Sequence, residues 1–344
     1  MRKYLLPENG KFYKANLHCH TTVTDGELTP EEMKKLYMDH GYSVVAFTDH
    51  EIMVPHHDLT DENFVALTGV ENSFGKEGKP DFLQTKECHI CFIALDPENV
   101  TQPCWHRTKY HNPKADAWVT FDKNEPDFER IYTPECINEM VRKFREKGFF
   151  ATYNHPVWSL EGYEDYMQYE GLNAMEIFNY SSALDGYADY NPNVYDDFLK
   201  KNKRMYAIAT DDNHNRYPGT RKFDSFGGFT MIKAEKLEYG AVTQALLDGH
   251  FYASEGPEIL ELYYDSEDNR VHIKTTEAVR VLMTTGNRHN NAKTAERLGE
   301  TVTETSFKLE QPDTDYVRFI VRDREGKEAY THAYKVSEIR AAVK

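Results

Sequence analysis

The sequence lacks both the long apolar runs and the excess of basic residues that would indicate a membrane or a nucleic-acid partner. No segment approaches the ~18 apolar residues of a membrane-spanning helix, and the first residues lack the apolar core of a signal peptide. The 344 residues include 41 Lys and Arg against 57 Asp and Glu, a net charge of −16. This charge repels nucleic-acid phosphates and acidic lipids. We therefore expect a cytoplasmic protein that binds neither a membrane nor a nucleic-acid polymer.

Cysteine is also scarce, and its pattern argues against a disulfide framework. The five cysteines are an odd number in a chain of 344 residues, which favours a reducing compartment. Cys88 and Cys91 have the spacing of half a redox or zinc site, but the sequence has no second Cys-x-x-Cys. Side chains three residues apart on an extended strand face opposite sides of it. We therefore interpret this pair as strand packing.

Histidine, with 15 copies, is more informative. His18 and His20 directly follow a strand-like run at residues 12–17. Side chains two apart on an extended segment point to the same face, so these two imidazoles can converge on one metal ion. Alone, such a pair could equally be two histidines on a half-exposed strand. The metal interpretation gains weight because further His and acidic residues recur where other apolar runs end.

Strand and helix patterns alternate up to about residue 250. The predicted strands are 12–17, 42–47, 64–70, 88–95, 149–153, 173–180, 204–209 and 226–232. Two predicted helices begin at Thr29-Pro30 and Thr133-Pro134, where a capping residue precedes a proline, and others lie near 194–199 and 239–247. This order predicts a parallel α/β barrel or a doubly wound sheet. Residues 96–132 have no clear period and are interpreted as an inserted surface loop.

The pattern of apolar and polar residues changes after residue 256. Short alternating runs at 260–265, 271–275, 279–284, 306–309 and 316–321, separated by turn residues, are typical of a small antiparallel β-sandwich-like domain. The sequence therefore predicts two domains, 1–255 and 256–344. The second has no cluster of His or carboxylate residues at its strand ends, so we expect a packing or lid domain rather than a second active site.

Polar residues at the ends of the predicted strands form the candidate site. In chain order they are His18, His20, Asp25, His50, Glu71, His89, His155, Asp212 and His214. A catalytic zinc usually has three protein ligands, so this set is large enough for two or three divalent ions. Imidazole and carboxylate ligands without thiolate suit zinc, iron or manganese better than magnesium or a structural zinc.

The same residues resemble a known family. His18-x-His20 with Asp25-Gly26, Thr48-Asp49-His50, Gly69-Val70-Glu71, Asn154-His155-Pro156 and Asp212-x-His214 are similar to the ordered motifs of the PHP (polymerase and histidinol phosphatase) superfamily. The resemblance spans residues 12–250. It implies a distorted (β/α)7 barrel that acts as a metal-dependent phosphoesterase, followed in this chain by the β-sandwich-like domain.

The resemblance also implies which residues hold which ion. The three implied ligand sets are His18, His20, Glu71 and Asp212; Glu71, His89 and His155; and Asp25, His50 and His214. Asp25 stands where some members of the family have histidine. His89 begins a predicted strand instead of ending one, and the alternative for it is a buried strand histidine.

Clustered divalent ions can hold a hydroxide at neutral pH and neutralise charge on phosphoryl oxygens. We therefore expect metal-bound hydroxide to hydrolyse a phosphomonoester or a small phosphodiester. Arg216, Arg221 and Lys222 follow His214 in the sequence and are candidate phosphate ligands, although basic residues of a polar loop could simply be solvated. Asp49 and Asp211 neighbour proposed ligands, and each could orient a ligand imidazole or form ordinary strand-end hydrogen bonds.

Two other functions fit parts of the pattern. An amidohydrolase-type enzyme that cleaves C–N bonds would use the same kind of barrel, but the sequence places no lysine at a predicted strand end. A non-catalytic metal-binding module would keep the ligands without the chemistry. The residues indicate a small phosphorylated substrate, but they indicate neither which phosphoester it is nor the oligomeric state.

Overall fold

The computed structural model describes residues 1–75, 86–110, 116–310 and 315–341. The strands up to residue 254 are β1 (Arg2–Tyr4), β2 (Lys11–Asn16), β3 (Tyr42–Phe47), β4 (Val65–Gly75), β5 (Glu87–Ala94), β6 (Phe149–Tyr153), β7 (Ala174–Asn179), β8 (Tyr206–Thr210), β9 (Phe229–Ala234) and β10 (Phe251–Ser254). The later strands are β11 (Ile259–Asp265), β12 (Arg270–Ala278), β13 (Arg280–Thr285), β14 (Asn291–Thr294), β15 (Val302–Lys308), β16 (Tyr316–Arg322), β17 (Glu328–Thr331) and β18 (Tyr334–Lys335).

The helices are short. They are α1 (Pro30–Asp39), α2 (Pro134–Glu146), α3 (Tyr163–Tyr166), α4 (Tyr180–Leu184), α5 (Pro192–Lys200), α6 (Tyr239–Asp248) and α7 (Val336–Ala341), with 3-10 turns at His57–Leu59 and Asp116–Trp118. The predicted capping box of α1 is confirmed, because Glu32 N–H donates to Thr29 Oγ1 at 3.3 Å and Thr29 N–H donates to Glu32 Oε2 at 2.9 Å. Within the described ranges, no helix has the length and apolar character needed to cross a bilayer.

The central sheet carries the candidate site. Its strands lie in the order β9-β2-β3-β4-β5-β6-β7-β8. Strands β2 to β4 are parallel, as are β6 to β8, whereas β5 is antiparallel to both of its neighbours and β9 is antiparallel to β2. The predicted mixed α/β architecture with a mostly parallel sheet is confirmed. The antiparallel β5 departs from a regular (β/α)7 repeat, in which every strand runs the same way.

The two ends of this sheet meet. Thr230 of β9 donates its hydroxyl to Ala209 O of β8 at 3.0 Å. Beyond the strands, Cys19 and Asn213 form a parallel bridge, and Asp212 N–H donates to His18 O at 3.0 Å. The sheet therefore curls round until the segments that follow β2 and β8 are hydrogen-bonded neighbours.

Side chains alternate between the inside and the outside of the curled sheet. Ala15, Ala46, Leu67 and Ile208 pack into one cluster with residues of α6, as expected for the inward face of strands with a period of two. Tyr239 of α6 donates its hydroxyl to Ala94 O at 2.8 Å. Ala94 ends β5, whereas His89 lies near its start, so α6 covers the edge of the sheet opposite to the candidate site.

The C-terminal strands form two antiparallel layers. One is a separate sheet in the order β1-β11-β12-β15, and the other continues the central sheet through β10, β17, β16, β13 and β14. Leu262 and Phe307 of the first layer share a buried cluster with Val281 and Phe319 of the second. The division at residues 255 and 256 stays a prediction. Strand pairs β1–β11 and β10–β17 join residues from both sides of it, and residues 342–344 of the predicted second domain lie outside the described residues.

Candidate metal centre

Strand direction explains how distant segments reach one place. Four candidate ligands follow the carboxyl ends of strands β2, β3, β6 and β8: His18, His50, His155 and Asp212. In parallel sheets, active sites form at the edge where the carboxyl ends of the strands lie. His89 lies near the start of β5 and reaches the same edge because β5 runs antiparallel, with His89 paired to Ser73 of β4. The irregular position of His89 in the sequence pattern is therefore a consequence of strand direction.

Glu71 lies at the centre of the cluster. Its carboxylate is 1% exposed and lies within 3.3 Å of four imidazoles, with a fifth, that of His20, at 3.5 Å. The Glu71 oxygens lie 3.1 Å from His18 Nε2, 3.0 Å from His50 Nδ1, 3.0 Å from His89 Nδ1 and 3.3 Å from His155 Nε2. Burial alone would raise the pKa of Glu71, but the imidazoles of His18 and His89 hold this pKa well below its usual value. Glu71 is therefore an ionised carboxylate placed to bridge two ligand groups.

Asp212 is the second carboxylate that contacts several imidazoles. Its Oδ1 lies 3.0 Å from His20 Nε2 and 3.2 Å from His18 Nε2, and its Oδ2 lies 3.8 Å from His155 Nε2. The backbone of Asp212 has φ = 52°, in the left-handed region that non-glycine residues seldom adopt. Such a conformation is characteristic of functional sites, where surrounding contacts hold it in place.

A third group lies nearer to solvent. His214 Nε2 lies 3.3 Å from Asp25 Oδ2, and His50 Nε2 lies 3.7 Å from Asp25 Oδ1. The His20 ring stacks on both His50 and His214, with ring centroids 4.1 and 4.3 Å apart. Asp25 is 44% exposed and also accepts a hydrogen bond of 2.9 Å from Arg216 Nη2.

The donor set fits divalent cations. His18 Nδ1 lies 2.8 Å from Glu176 Oε1, which favours a proton on this nitrogen, and His18 Nε2 faces the oxygens of Glu71 and Asp212 at 3.1 and 3.2 Å. A nitrogen that faces two carboxylates holds either a proton or a cation, and a divalent cation can replace the proton there. Among the described residues, His20 Nδ1, His89 Nε2 and Glu71 Oε2 have no hydrogen-bond partner although they are buried. Glu71 Oε2 lies 3.0 Å from His50 Nδ1 and His89 Nε2 lies 3.3 Å from Glu87 Oε1, but neither pair has hydrogen-bond geometry.

The structure brings all nine predicted ligands together, but it groups them differently from the three implied sets. Groups whose ligand atoms all lie within 4.8 Å of one another are His20, Asp25, His50 and His214; His18, His155 and Asp212; His50, Glu71 and His89; and His18, Glu71 and Cys91. The third implied set is reproduced and gains His20. His50 belongs to two groups because its two ring nitrogens face Asp25 and Glu71. The assignment of each ligand to an ion stays a prediction.

Glu176 is a buried residue of the site that sequence reasoning missed. Its carboxylate is 0% exposed and accepts hydrogen bonds from His18 Nδ1, His155 N–H, Asn179 Nδ2 and Thr210 Oγ1 at 2.6–2.8 Å. Glu176 thereby orients the ring of His18 and the backbone of His155. In the sequence, the one indication of this role is that Glu176 is a single charged residue within the apolar run of β7.

Two further buried residues contact the cluster. Asn154 Nδ2 donates to Glu71 Oε1 at 2.8 Å and to Cys91 Sγ at 3.1 Å. Cys91 therefore packs within β5, as predicted, and also lies beside Glu71 in the cluster. The interpretation of Cys91 as strand packing did not include this second contact. Burial raises the pKa of the Cys91 thiol to about 11, so the free side chain is a neutral thiol.

Asp49 and Asp211 position loops. The Asp49 carboxylate accepts hydrogen bonds from Thr21 N–H at 2.7 Å and from Thr24 Oγ1 at 2.8 Å, in the turn that leads to Asp25. The Asp211 carboxylate accepts from Tyr37 Oη at 2.8 Å and from the backbone N–H groups of residues 226–228 at 2.8–2.9 Å. Burial raises the pKa of Asp211 to about 6. None of these hydrogen bonds goes to a ligand imidazole, so they match the alternative of ordinary strand-end hydrogen bonds for both residues.

The cluster opens into a cavity of about 490 Å³. Arg216 and Lys222 line this cavity together with Trp158, whose ring lies 4.9–5.0 Å from the rings of His155 and His89. Arg221 is exposed and does not line the cavity. Two of the three proposed phosphate ligands therefore face the cluster.

The loop at 96–132 supports the site from outside. Arg130 forms a short ion pair with Glu51 and donates to Ser73 O at 3.0 Å, while Gln102 Nε2 donates to Glu51 O at 2.9 Å. Glu51 and Ser73 both line the cavity. Residues 111–115 of this predicted insertion lie outside the described residues.

Comparisons with known proteins give structural neighbours but no family assignment. No family model matches the sequence, and no curated protein matches it. One similar solved structure is a two-domain protein of Bacteroides vulgatus containing a predicted PHP-like metal-dependent phosphoesterase, with 14% identity, a TM-score of 0.43, and coverage of 96% of this chain and 98% of that chain. A second, provisionally named a metal-dependent phosphoesterase, is from Bifidobacterium adolescentis, with 14% identity, a TM-score of 0.36 and coverage of 62% and 91%.

A third similar structure is an amidohydrolase of Chromobacterium violaceum with bound sulfate and no metal, with 17% identity, a TM-score of 0.35 and coverage of 58% and 87%. Two of the three neighbours carry the name of the family or the activity that the sequence motifs resemble. Identities of 14–17% and TM-scores of 0.35–0.43 assign no activity to this chain. The proposal below therefore rests on the cluster itself.

Proposed function

We propose that the chain is a metal-dependent phosphoesterase that hydrolyses a phosphomonoester or a small phosphodiester. The observation that carries the proposal is the convergence of four segments on Glu71, whose carboxylate lies within 3.3 Å of four imidazoles beside a cavity. Two or three ions of zinc, iron or manganese would bind this imidazole and carboxylate set. When bound, such ions lower the pKa of water enough to supply a hydrolytic nucleophile and neutralise phosphoryl oxygens.

The protein's own residues prepare the ligands and the substrate. Glu176 keeps the proton of His18 on Nδ1, which leaves Nε2 free for a cation. Arg216 and Lys222 at the cavity wall bring positive charge toward a bound phosphate. Arg216 now pairs with Asp25 at 2.9 Å, so phosphate binding would exchange this carboxylate for a phosphoryl oxygen. Trp158 covers the rings of His89 and His155 and limits the access of water to them.

The expected partner is a small phosphorylated molecule. A cavity of about 490 Å³ is of the size that holds small ligands, and the net charge of −16 disfavours a nucleic-acid polymer. All five cysteines are free thiols, which supports the proposed cytoplasmic location.

Turnover of model substrates tests the proposal. We expect hydrolysis of p-nitrophenyl phosphate or bis-p-nitrophenyl phosphate in the presence of Mn²⁺, Zn²⁺ or Fe²⁺, and a loss of at least about a hundredfold in His20→Asn. The matched control is His57→Asn, because His57 is exposed and lies outside the cavity. Hydrolysis of a simple amide without hydrolysis of either phosphoester would contradict the proposal and favour the amidohydrolase alternative.

A further inference from the structure

A second cavity, of about 580 Å³, lies at the other end of the central sheet. Tyr206, the first residue of β8, lines it, whereas Asp212 lies just beyond the last residue of the same strand. Its walls come from β1, the end of α2, the end of α6, β18 and α7. The cavity is therefore separate from the candidate metal centre and is built by segments that the proposed function does not use.

The lining of this cavity is positively charged. Among the described residues, the lining includes the four basic side chains Lys3, Arg145, Arg204 and Lys335 and two acidic ones, Asp248 and Glu338. This local excess of two positive charges contrasts with a net charge of −16 for the whole chain. Cations held close together repel one another, so such a group favours an anionic ligand.

The protein's own groups satisfy these cations only in part. Lys3 Nζ donates to Glu338 O at 2.7 Å, and Arg145 Nη1 donates to Gly171 O at 2.9 Å, but carbonyl oxygens carry no formal charge. Arg204 and Lys335 lie 3.1 and 3.9 Å from the same oxygen, Glu338 Oε1. One carboxylate thus serves two cations, and it occupies the position that an external anion would take.

Uncharged groups complete the cavity. The side chains of His332 and Tyr334 are each 8% exposed and line the cavity beside Tyr206, whose ring centroid lies 4.9 Å from that of His332. Leu172 and Leu247 add apolar surface. A volume of about 580 Å³ with aromatic, apolar and basic walls is typical of sites for small organic ligands.

We propose that this cavity binds a small molecule through a phosphate group held by Arg204 and Lys335, the two cations that now share Glu338 Oε1. Arginine suits phosphate because its guanidinium can donate two parallel hydrogen bonds to two phosphoryl oxygens. The phosphate group belongs either to inorganic phosphate or to a nucleotide, whose ring system would use the aromatic and apolar wall. The proposal is independent of the chemistry at the metal centre.

Calorimetric titration of the full-length protein tests this site with inorganic phosphate and with the non-hydrolysable nucleotide α,β-methylene-ADP. Arg204→Gln should weaken binding at least about threefold, because it removes one cation. Glu338→Gln should strengthen binding by a similar factor, because it frees Arg204 and Lys335 from the internal carboxylate. Opposite effects of two exposed substitutions cannot both arise from misfolding. Binding should also weaken as salt concentration rises.

Two control variants locate the effect. Arg142→Gln removes an arginine of α2 that pairs with Glu146 outside this cavity, and Arg216→Gln changes the metal-centre cavity. Neither should alter the binding event that responds to Arg204→Gln and Glu338→Gln, and a binding event that Arg216→Gln alone weakens belongs to the metal-centre cavity. Equal affinity for both probes identifies phosphate alone as the ligand group, and tighter binding of the nucleotide identifies a contribution from its ring. The absence of saturable binding of either probe up to about 10 mM, or unchanged affinity in both Arg204→Gln and Glu338→Gln, would overturn the proposal.

Discussion

Replacement of Glu176 by Gln should weaken metal binding while keeping the shape of the site. Glu176 Oε1 accepts hydrogen bonds from His18 Nδ1 at 2.8 Å and Thr210 Oγ1 at 2.6 Å, and Oε2 accepts from His155 N–H and Asn179 Nδ2 at 2.8 Å. Glutamine has one oxygen and one NH2 group. In either orientation of the glutamine amide, its NH2 group therefore faces two groups that donate hydrogen bonds in the wild type: His18 and Thr210 in one orientation, and His155 and Asn179 in the other.

The size of the effect follows from these contacts. Each buried donor that loses its acceptor costs about 1–3 kcal/mol, so the free energy of unfolding should fall by at least about 2 kcal/mol. His18 no longer has a carboxylate that keeps its proton on Nδ1, and its proton can move to the nitrogen that faces Glu71 and Asp212. Loss of such a carboxylate partner of a ligand histidine typically lowers metal affinity 10- to 100-fold.

The assay is competition for Zn²⁺ with a fluorescent chelator, run beside urea unfolding of the metal-free protein. Glu161→Gln is the matched control. Glu161 is another buried carboxylate, and it accepts from the hydroxyls of Tyr132, Tyr153 and Tyr169 without contacting an imidazole. Glu161→Gln should destabilise the fold and leave Zn²⁺ affinity unchanged. Zn²⁺ affinity within about twofold of wild type in folded Glu176→Gln would refute the reasoning.

Three other outcomes are expected. Arg216→Ala should raise KM or lower kcat for a phosphoester about tenfold in steady-state kinetics, because it removes the cavity's guanidinium; unchanged kinetics would exclude Arg216 from the site. Burial and the nearby Glu328 carboxylate raise the pKa of Glu255 to about 7. The folded state therefore holds this proton more tightly than the unfolded state, and the contribution of Glu255 to the free energy of unfolding falls as pH rises from about 4.5 to 7. Glu255→Gln should reduce this pH dependence in urea unfolding measured across the same range. An unchanged pH dependence would contradict the assignment to Glu255. Chelation of bound metal should lower the Tm by about 4 °C for each ion removed, measured by calorimetry, since an ion at 100 times its Kd contributes about 2.7 kcal/mol. An unchanged Tm would argue that no ion binds the folded state.

The candidate ligands that lie close together in the structure are mostly those that local sequence pattern marks. Apolar runs that end in His18, His50 and His155 mark strand ends, and strand ends of a parallel sheet meet at one edge. The capping signals before α1 and α2 likewise depend only on neighbouring residues. Predicting the central strands and the cluster therefore required no knowledge of long-range contacts.

The parts that the sequence did not reveal depend on pairing between distant segments. Strand β1 is three residues long and exists because it pairs with β11, more than 250 residues away. The direction of β5 is set by its neighbours, so the apolar run alone did not show at which edge of the sheet His89 lies, although the family resemblance included His89 among the ligands. Glu176 acquires its role only when β7 lies beside His18 and His155. Arg221 and Lys222 are adjacent in sequence, and only the path of the folded loop separates them.

The most direct test of the account is the metal content of protein purified without chelator, combined with anomalous diffraction from its crystals. The account predicts two or three equivalents of zinc, iron or manganese per chain. Their anomalous peaks should lie between His18, His20, Glu71 and Asp212 and beside His50 and His89, at coordination distances of about 2.0–2.2 Å. Protein that contains no transition metal and gains none on incubation with Zn²⁺, Mn²⁺ or Fe²⁺ would contradict it.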